Sequence, residues 1–373
     1  MSTNSSTTPV PYLRLQNEFE SLYDEWTSMI SDIGKSGAFI LGPNVKAFEQ
    51  ESAEYLGAPL AVSVANGTDA LELSLKALDI GPGDKIITSP FTFFATAEAI
   101  SKVGATPVFA DILPDSFNID PASVRQLAND GAKAILPVHI FGHPADMSAL
   151  KAIASDFDMP IIEDGAQAFG AQHDGEQVGS IGDCGCFSFY PTKVLGCYGD
   201  GGLIATRNEE VRDRLLKLRN HGATAPFTHD ELGYNSRLDE VQAALLRLKL
   251  RKLEQDVAAR IQVADLYDEN LKDTDIICPA RPQNGRHAFN LYTIRHANRE
   301  AIREALKDGS IGHSQCYPKG LHLQDIYSGL GYEPGDLPVT DQVCGETLSL
   351  PIFPDMREEE VVRVCEVVKR AVS

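Results

Sequence analysis

The sequence predicts an α/β fold: a large domain built on a mostly parallel sheet flanked by helices, followed by a smaller C-terminal α+β domain. Three observations carry this. Short apolar runs alternate with helical patterns from about residue 60 to residue 206, the order that lays parallel strands side by side under covering helices. Polar and glycine-rich turns follow several of those runs, where open α/β sheets gather their ligands. Beyond about residue 260 the pattern changes to shorter strands between amphipathic helices.

Taken in order, the run Ser2-Thr3-Asn4-Ser5-Ser6-Thr7-Thr8 has no apolar centre. Residues 1–10 therefore read as a flexible arm and not a signal peptide. The large domain is expected over 11–255 and the small one over 256–373. Strands are expected at 60–64, 85–88, 107–110, 134–138, 160–163, 184–189 and 203–206. Helices at 68–78, 96–103 and 147–157 bridge several of them. A further helix is expected after Ser236 and Asp239, which together resemble a capping box. Leu238, Val241, Leu245 and Leu248 then follow at helical spacing, as a stripe for the core or for a dimer contact. In the small domain, 290–294 reads as a strand, 299–306 as a helix and 358–372 as an amphipathic helix. Internal repeats are absent.

Of the 373 residues, 33 are Lys or Arg and 53 are Asp or Glu, a net charge of −20. That balance disfavours nonspecific nucleic-acid binding and attraction to anionic membranes. No stretch approaches the ~20 apolar residues of a membrane span. The seven cysteines are odd in number and scattered, which suits reduced thiols in a cytoplasm. Cys184 and Cys186 have no matching second pair and read as small core residues, not metal ligands.

Chemistry concentrates around Lys193, the only lysine between Lys151 and Lys217. It ends the run Phe187-Ser188-Phe189-Tyr190-Pro191-Thr192-Lys193, ahead of the flexible Gly199-Asp200-Gly201-Gly202. Burial there would lower its pKa and free the amine for a Schiff base with an aldehyde cofactor; a solvated strand-end lysine is the alternative. Upstream, Pro160-Ile161-Ile162-Glu163-Asp164 reads as a buried strand ending in acid. Pyridoxal phosphate needs a carboxylate against its ring nitrogen, and Asp164 can serve, with Gln167 near the ring hydroxyl. A helix N-cap is the other reading of Asp164. Earlier still, Ala65-Asn66-Gly67-Thr68-Asp69 joins a strand to a helix start, where free N–H groups bind phosphate. Gly67 permits close approach, and Thr68 and Ser188 add hydroxyls.

These motifs, in this order, resemble the DegT/DnrJ/EryC1/StrS family of pyridoxal-phosphate-dependent sugar aminotransferases. The resemblance runs from about Pro11 to the C-terminus. It takes in Phe39-Ile40-Leu41-Gly42-Pro43, Asn66 to Leu71, Phe91-Thr92-Phe93-Phe94-Ala95-Thr96, and Glu163-Asp164-Gly165-Ala166-Gln167. It continues through Ser188 to Lys193 and Gly233-Tyr234-Asn235-Ser236-Arg237-Leu238-Asp239, with Leu321-His322-Leu323-Gln324 and Leu350-Pro351 late in the chain. It implies the aspartate-aminotransferase-like fold type I, with a mostly parallel seven-stranded sheet. It further implies that Lys193 forms the Schiff base and moves protons, that Asp164 pairs with the ring nitrogen, and that Gln167 lies near the ring hydroxyl. Gly67, Thr68 and Ser188 would form the phosphate cup, and Phe93 would stack on the ring, with a plain core phenylalanine as the other reading. Asn235 would reach the phosphate from the second subunit of a homodimer. Gly165 departs from the alanine common in the family and should only loosen the turn.

The same resemblance implies L-glutamate as amino donor and a keto-sugar carried on dTDP or UDP as acceptor, with pyridoxamine phosphate formed between the two half-reactions of amino-sugar biosynthesis. The segment Lys193-Val194-Leu195-Gly196-Cys197-Tyr198-Gly199-Asp200-Gly201-Gly202 resembles members that aminate C-3. Members acting at C-4 tend to carry a threonine-rich stretch instead. Phe39, Tyr190, His221, Tyr317 and His322 are candidate sugar or nucleotide contacts; for His322 and His139 a structural role is an equal reading. Arg237 can bind a donor carboxylate or a phosphate through its bidentate fork, or form a surface ion pair. A dehydratase of the same family would carry histidine in place of Lys193. A noncatalytic regulatory homologue would tolerate losing Asp164 or Lys193, and both are present.

Overall fold

The computed structural model describes residues 8–372. Helices α1 (Gln16–Ser36) and α2 (Pro43–Leu56) precede a sheet of β1 (Leu60–Val64), β2 (Lys85–Thr88), β3 (Thr106–Phe109), β4 (Ala134–Leu136), β5 (Ile162–Asp164), β6 (Cys184–Ser188) and β7 (Gly202–Thr206). Two runs of strands, β1-β7-β6-β5 and β3-β2-β4, meet through parallel bridges between Ile135 and Ile161 and between Val138 and Asp164. The order across the sheet is thus β1-β7-β6-β5-β4-β2-β3. Only β7 runs antiparallel to its neighbours; the other neighbouring strands run parallel. Parallel neighbours need long crossovers, usually helical. Here α3 (Gly67–Ala77), α4 (Ala95–Lys102), α5 (Pro121–Ala128) and α6 (Met147–Phe157) each follow one of β1 to β4.

Side-chain alternation along the strands sorts the core onto two faces. Cys184 and Cys186 of β6 pack with Leu71, Leu73 and Leu75 of α3. Phe187, between them and the strand end, joins Phe48, Leu203 and Leu246 on the other face. Each fully buried Leu or Phe of this kind contributes about 1.5–3 kcal/mol. The register sets Val64 opposite Gly202 and Gly202 opposite Ser188, so β1 and β6 end level with each other. The start of α3 therefore stands beside Ser188, and Asp164 pairs with Cys186 one strand further on.

Helix α7 (Glu209–Leu218) leads to α8 (Glu240–Leu250), which corrects one expectation. The capping box does not form: the Ser236 hydroxyl accepts from the Ala65 N–H at 3.1 Å, and Asp239 makes no side-chain cap. The Glu240 carboxylate instead accepts from the Asn44 and Val45 N–H groups, at 3.0 and 2.8 Å, and so caps α2. Long-range partners outcompeted the local ones. Leu238, Leu245 and Leu248 of the stripe lie in the core.

The expected division at 255/256 falls inside a continuous helix, α9 (Leu253–Leu271). Leu253 and Val257 belong to the core on the sheet, whereas Val263, Tyr267 and Leu271 belong to a separate C-terminal core. That core gathers the antiparallel pair β8 (Tyr292–Arg295) and β9 (Thr347–Leu350) with α10 (Arg299–Asp308) and α12 (Glu358–Val372), while α11 (Pro338–Glu346) leads into β9. Of the expected arm, residues 1–7 lie outside the described residues. Val10 is no arm residue: it is buried in the C-terminal core, and its N–H donates to Ser310 O at 3.1 Å.

Candidate functional site

Asp164 ends β5 and is almost wholly buried. Its main chain is clamped to the end of the neighbouring strand: the Asp164 N–H donates to Pro137 O at 2.9 Å, and the His139 N–H donates to Asp164 O at 3.0 Å. The carboxylate accepts from Thr96 Oγ1 at 2.8 Å and from the Ala166 N–H at 3.1 Å. Burial nevertheless raises its pKa, outweighing those two donors, Lys193 and His139. A buried acid in that state gains from a cation placed against it. A protonated ring nitrogen would supply one.

Lys193 lies in the loop between β6 and β7, where its N–H donates to Tyr190 O at 2.9 Å. Burial depresses its pKa, against the opposing pulls of Asp164 and then Cys316. The amine is thus biased towards the neutral, nucleophilic form. The solvated strand-end lysine is not what the fold provides.

The phosphate end is set by α3. Asn66 caps it, its Oδ1 accepting from the Asp69 N–H at 2.8 Å. The leading N–H groups of Gly67 and Thr68 have no acceptor within the helix and face outward with the helix dipole. A Cβ on Gly67 would stand 2.6 Å from Ser188 Cβ, so only glycine lets the helix start and the strand end close into one cradle.

Asp164, Lys193, Gly67, Thr68 and Ser188 all line one cleft of about 760 Å³. Phe93, Gln167, Tyr190 and Tyr317 line it too. Phe93 is 62% exposed at the cleft, which removes the plain-core reading. Gln167 is locked at both ends: Oε1 accepts from the Phe141 N–H and Nε2 donates to Tyr317 Oη, each at 2.7 Å. One Nε2 hydrogen is left to reach into the cleft. Carboxylate, amine, N–H cradle and flat aromatic together fit pyridoxal phosphate.

Other expected residues lie elsewhere. Phe39, His221, Asn235 and Arg237 are outside this chain's cleft; the first three are exposed. Arg237 donates to Asn220 Oδ1 at 3.1 Å and has no acid within ion-pair distance among the described residues. His322 is corrected as a cleft contact: it is enclosed, with Nε2 3.3 Å from Asp341 Oδ1, and offers no surface to a ligand.

Two features had no place in the sequence reading. Thr92 and Thr96 form a hydroxyl chain ending on Asp164, with 3.0 Å between the two hydroxyls. Glu163, fully buried behind Asp164, accepts from His139 Nε2 at 3.0 Å and from the N–H groups of Gly179, Ile181 and Gly182 at 2.7, 2.8 and 2.6 Å. The available signal was the unbroken pair Glu163-Asp164: alternation sends one acid to each face, and a buried acid needs donors.

Comparison with known proteins agrees with this geometry. A Geobacillus stearothermophilus protein named "Pleiotropic regulatory protein" is 42% identical over 96% of this chain and 97% of its own length. An Acidithiobacillus ferrooxidans UDP-N-acetyl-3-dehydro-alpha-D-glucosamine 3-aminotransferase is 42% identical over 97% and 98%. The crystal structure of S. venezuelae DesV in complex with a ketimine intermediate superposes with a TM-score of 0.95 at 38% identity, covering 98% of this chain and all of that one. The model of the DegT/DnrJ/EryC1/StrS aminotransferase family matches residues 21–369. The chain belongs to the DegT/DnrJ/EryC1/StrS aminotransferase family, and is a pyridoxal-phosphate enzyme with that family's fold.

Proposed function

We propose that this enzyme moves the amino group of L-glutamate to C-3 of a nucleotide-linked keto-sugar. The observation that carries the reading is the meeting of Lys193, Asp164 and the Gly67 cradle in one cleft. Bound pyridoxal phosphate supplies a cationic ring that delocalises the electron pair left when a C–H bond breaks. The residues do the rest. Asp164 holds the proton on the ring nitrogen, and the Gly67 and Thr68 N–H groups with Ser188 hold the phosphate. Phe93 covers the ring face. Lys193 takes the proton from the α-carbon of glutamate in the first half-reaction and gives one to the sugar carbon in the second. The Lys193–Gly202 segment and the 3-aminotransferase relative support C-3.

Asn235, His221 and Arg237 serve a second copy's cleft in this reading, which makes the enzyme a homodimer. Support comes from their exposure or lack of a local acid, and from the lining of this chain's own cleft, where Asp69, Glu98, Asp164 and Asp200 outnumber Lys102 and Lys193 and a diphosphate would gain from outside cations. The seven cysteines are all free thiols, which suits a cytoplasmic location. No helix among the described residues is long and apolar enough to cross a membrane.

The test is the absorption spectrum of the cofactor-loaded protein before and after L-glutamate. The visible band should form with wild type, disappear on adding glutamate, and return with a 3-keto nucleotide sugar. A band indifferent to glutamate contradicts the proposed donor, and one restored only by 4-keto sugars contradicts the proposed position.

A further inference from the structure

Asp164 Oδ1 accepts from the Ala166 main-chain N–H at 3.1 Å, a donor that cannot turn round. Asp164 Oδ2 accepts from the Thr96 hydroxyl at 2.8 Å, and the Thr96 oxygen stands 3.0 Å from that of Thr92. Both threonines are buried, at 1% and 2% exposure, and both border the cleft. The directions follow. Thr96 spends its one hydrogen on Asp164, so the contact between the threonines has Thr92 donating to Thr96. A proton on Oδ2 would reverse both bonds and send the Thr92 hydrogen to another acceptor; a proton on Oδ1 would confront the Ala166 N–H. Every protein contact to the carboxylate therefore favours the acceptor-only anion. Lys193 and His139 act in the same direction, while Glu163 is committed to its own donors and Cys186 and Tyr317 are neutral neighbours raised by burial.

We propose that Thr96, backed by Thr92, is a positioning residue that fixes the Asp164 carboxylate as an anion facing the ring nitrogen of the cofactor. The proposal rests on the reading of Asp164 as the ring-nitrogen partner. Thr96 touches neither cofactor nor substrate; it acts through Asp164.

The experiment compares wild type, Thr96→Val, Thr96→Ser and Asp164→Asn. It reads pyridoxal-phosphate affinity from pH 5.5 to 9 and the pH dependence of the visible band. Removing a hydrogen bond to a charged group changes affinity roughly tenfold, so Thr96→Val should bind the cofactor about that much more weakly at pH 7. Its deficit should grow as pH falls, because the Asp164 carboxylate without its Thr96 donor takes up a proton at a higher pH than in wild type and must give it up to pair with the ring. Thr96→Ser restores the hydroxyl and should recover most of the affinity. Curves for Thr96→Val parallel to wild type at every pH, or a serine variant as weak as the valine one, would overturn the proposal. Wild-type affinity in Asp164→Asn would sink the ring-nitrogen reading itself, a distinguishable failure. Should Thr96→Val not fold, Thr92→Ala carries the same test, with a smaller deficit of the same pH slope expected and a flat profile overturning the idea.

Discussion

Glu163→Gln should be far more damaging than a swap of one oxygen for one nitrogen suggests. Both carboxylate oxygens are saturated by donors: Oε1 by the Ile181 and Gly182 N–H groups at 2.8 and 2.6 Å, Oε2 by the Gly179 N–H at 2.7 Å and His139 Nε2 at 3.0 Å. His139 cannot yield, because its Nδ1 is the acceptor for the Ala145 N–H at 3.0 Å. Whichever way the amide of glutamine turns, its NH₂ faces two donors. Each buried donor left without an acceptor costs about 1–3 kcal/mol, and breaking a buried charged network typically costs about 3–5 kcal/mol. The loop carrying those donors is fixed too: a Cβ on Gly185 would lie 1.9 Å from Gly179 O, so the loop lies directly on β6. A urea titration should therefore show a loss of about 3–5 kcal/mol with an unchanged denaturant slope. Burial would raise the pKa of Glu163, but His139 and the N–H groups of Gly182 and Gly179 hold it below the usual carboxylate range. Its contribution is thus present above the unfolded-state pKa and lost as pH falls towards the folded one. The gap between wild type and variant should narrow on acidification. A loss below about 1 kcal/mol at pH 7, or a gap that widens in acid, would refute this account of Glu163.

Three further outcomes are expected. Lys193→Ala should lower turnover by at least the ~10²–10⁴-fold of a lost acid–base group while leaving the melting temperature unimpaired, since a desolvated amine at the cleft wall disappears; turnover near wild type would contradict its role. Gly67→Ala forces its Cβ against Ser188 Cβ at 2.6 Å. Overpacking of that kind costs about 1–3 kcal/mol, so cofactor affinity should fall roughly tenfold, whereas Gly34→Ala, with nothing within 4 Å, should leave it unchanged. For Glu360, burial raises the pKa, but Arg14 and both the N–H and side chain of Arg357 bring it down to about 2. Its stabilisation is therefore full above pH ~4.5 and lost between there and about pH 2; a Glu360→Gln variant should be the less stable at pH 6 and match wild type near pH 2.

The sheet strands were readable because apolar runs bounded by turn residues are local signals, and so were the groups that β5, β6 and α3 present at their ends. Pairing was less so. β7 enters antiparallel after a loop through Lys193 that holds no crossover helix, and strand direction leaves no mark on a five-residue apolar run. Ser236, Glu240 and Val10 were misassigned or left unassigned for one reason: each is used by a segment distant in sequence, Ala65, α2 and the turn after Asp308 respectively. Likewise Thr96 and Glu163 stood inside quoted motifs, but their work is done by contacts with Asp164 and with the loop 179–182. His322 and Phe93 look alike as isolated ring residues, and only packing enclosed the first and opened the second to the cleft.

The most direct test of the central claim is transfer of labelled nitrogen. The cofactor-loaded protein, L-glutamate labelled on its amine and a nucleotide-linked 3-keto sugar are incubated together, and the product is read by nitrogen–proton NMR. The account predicts label on C-3 of the sugar, with 2-oxoglutarate released in equal amount and neither formed by Lys193→Ala. Label on another carbon, or product from the Lys193→Ala protein, would contradict it.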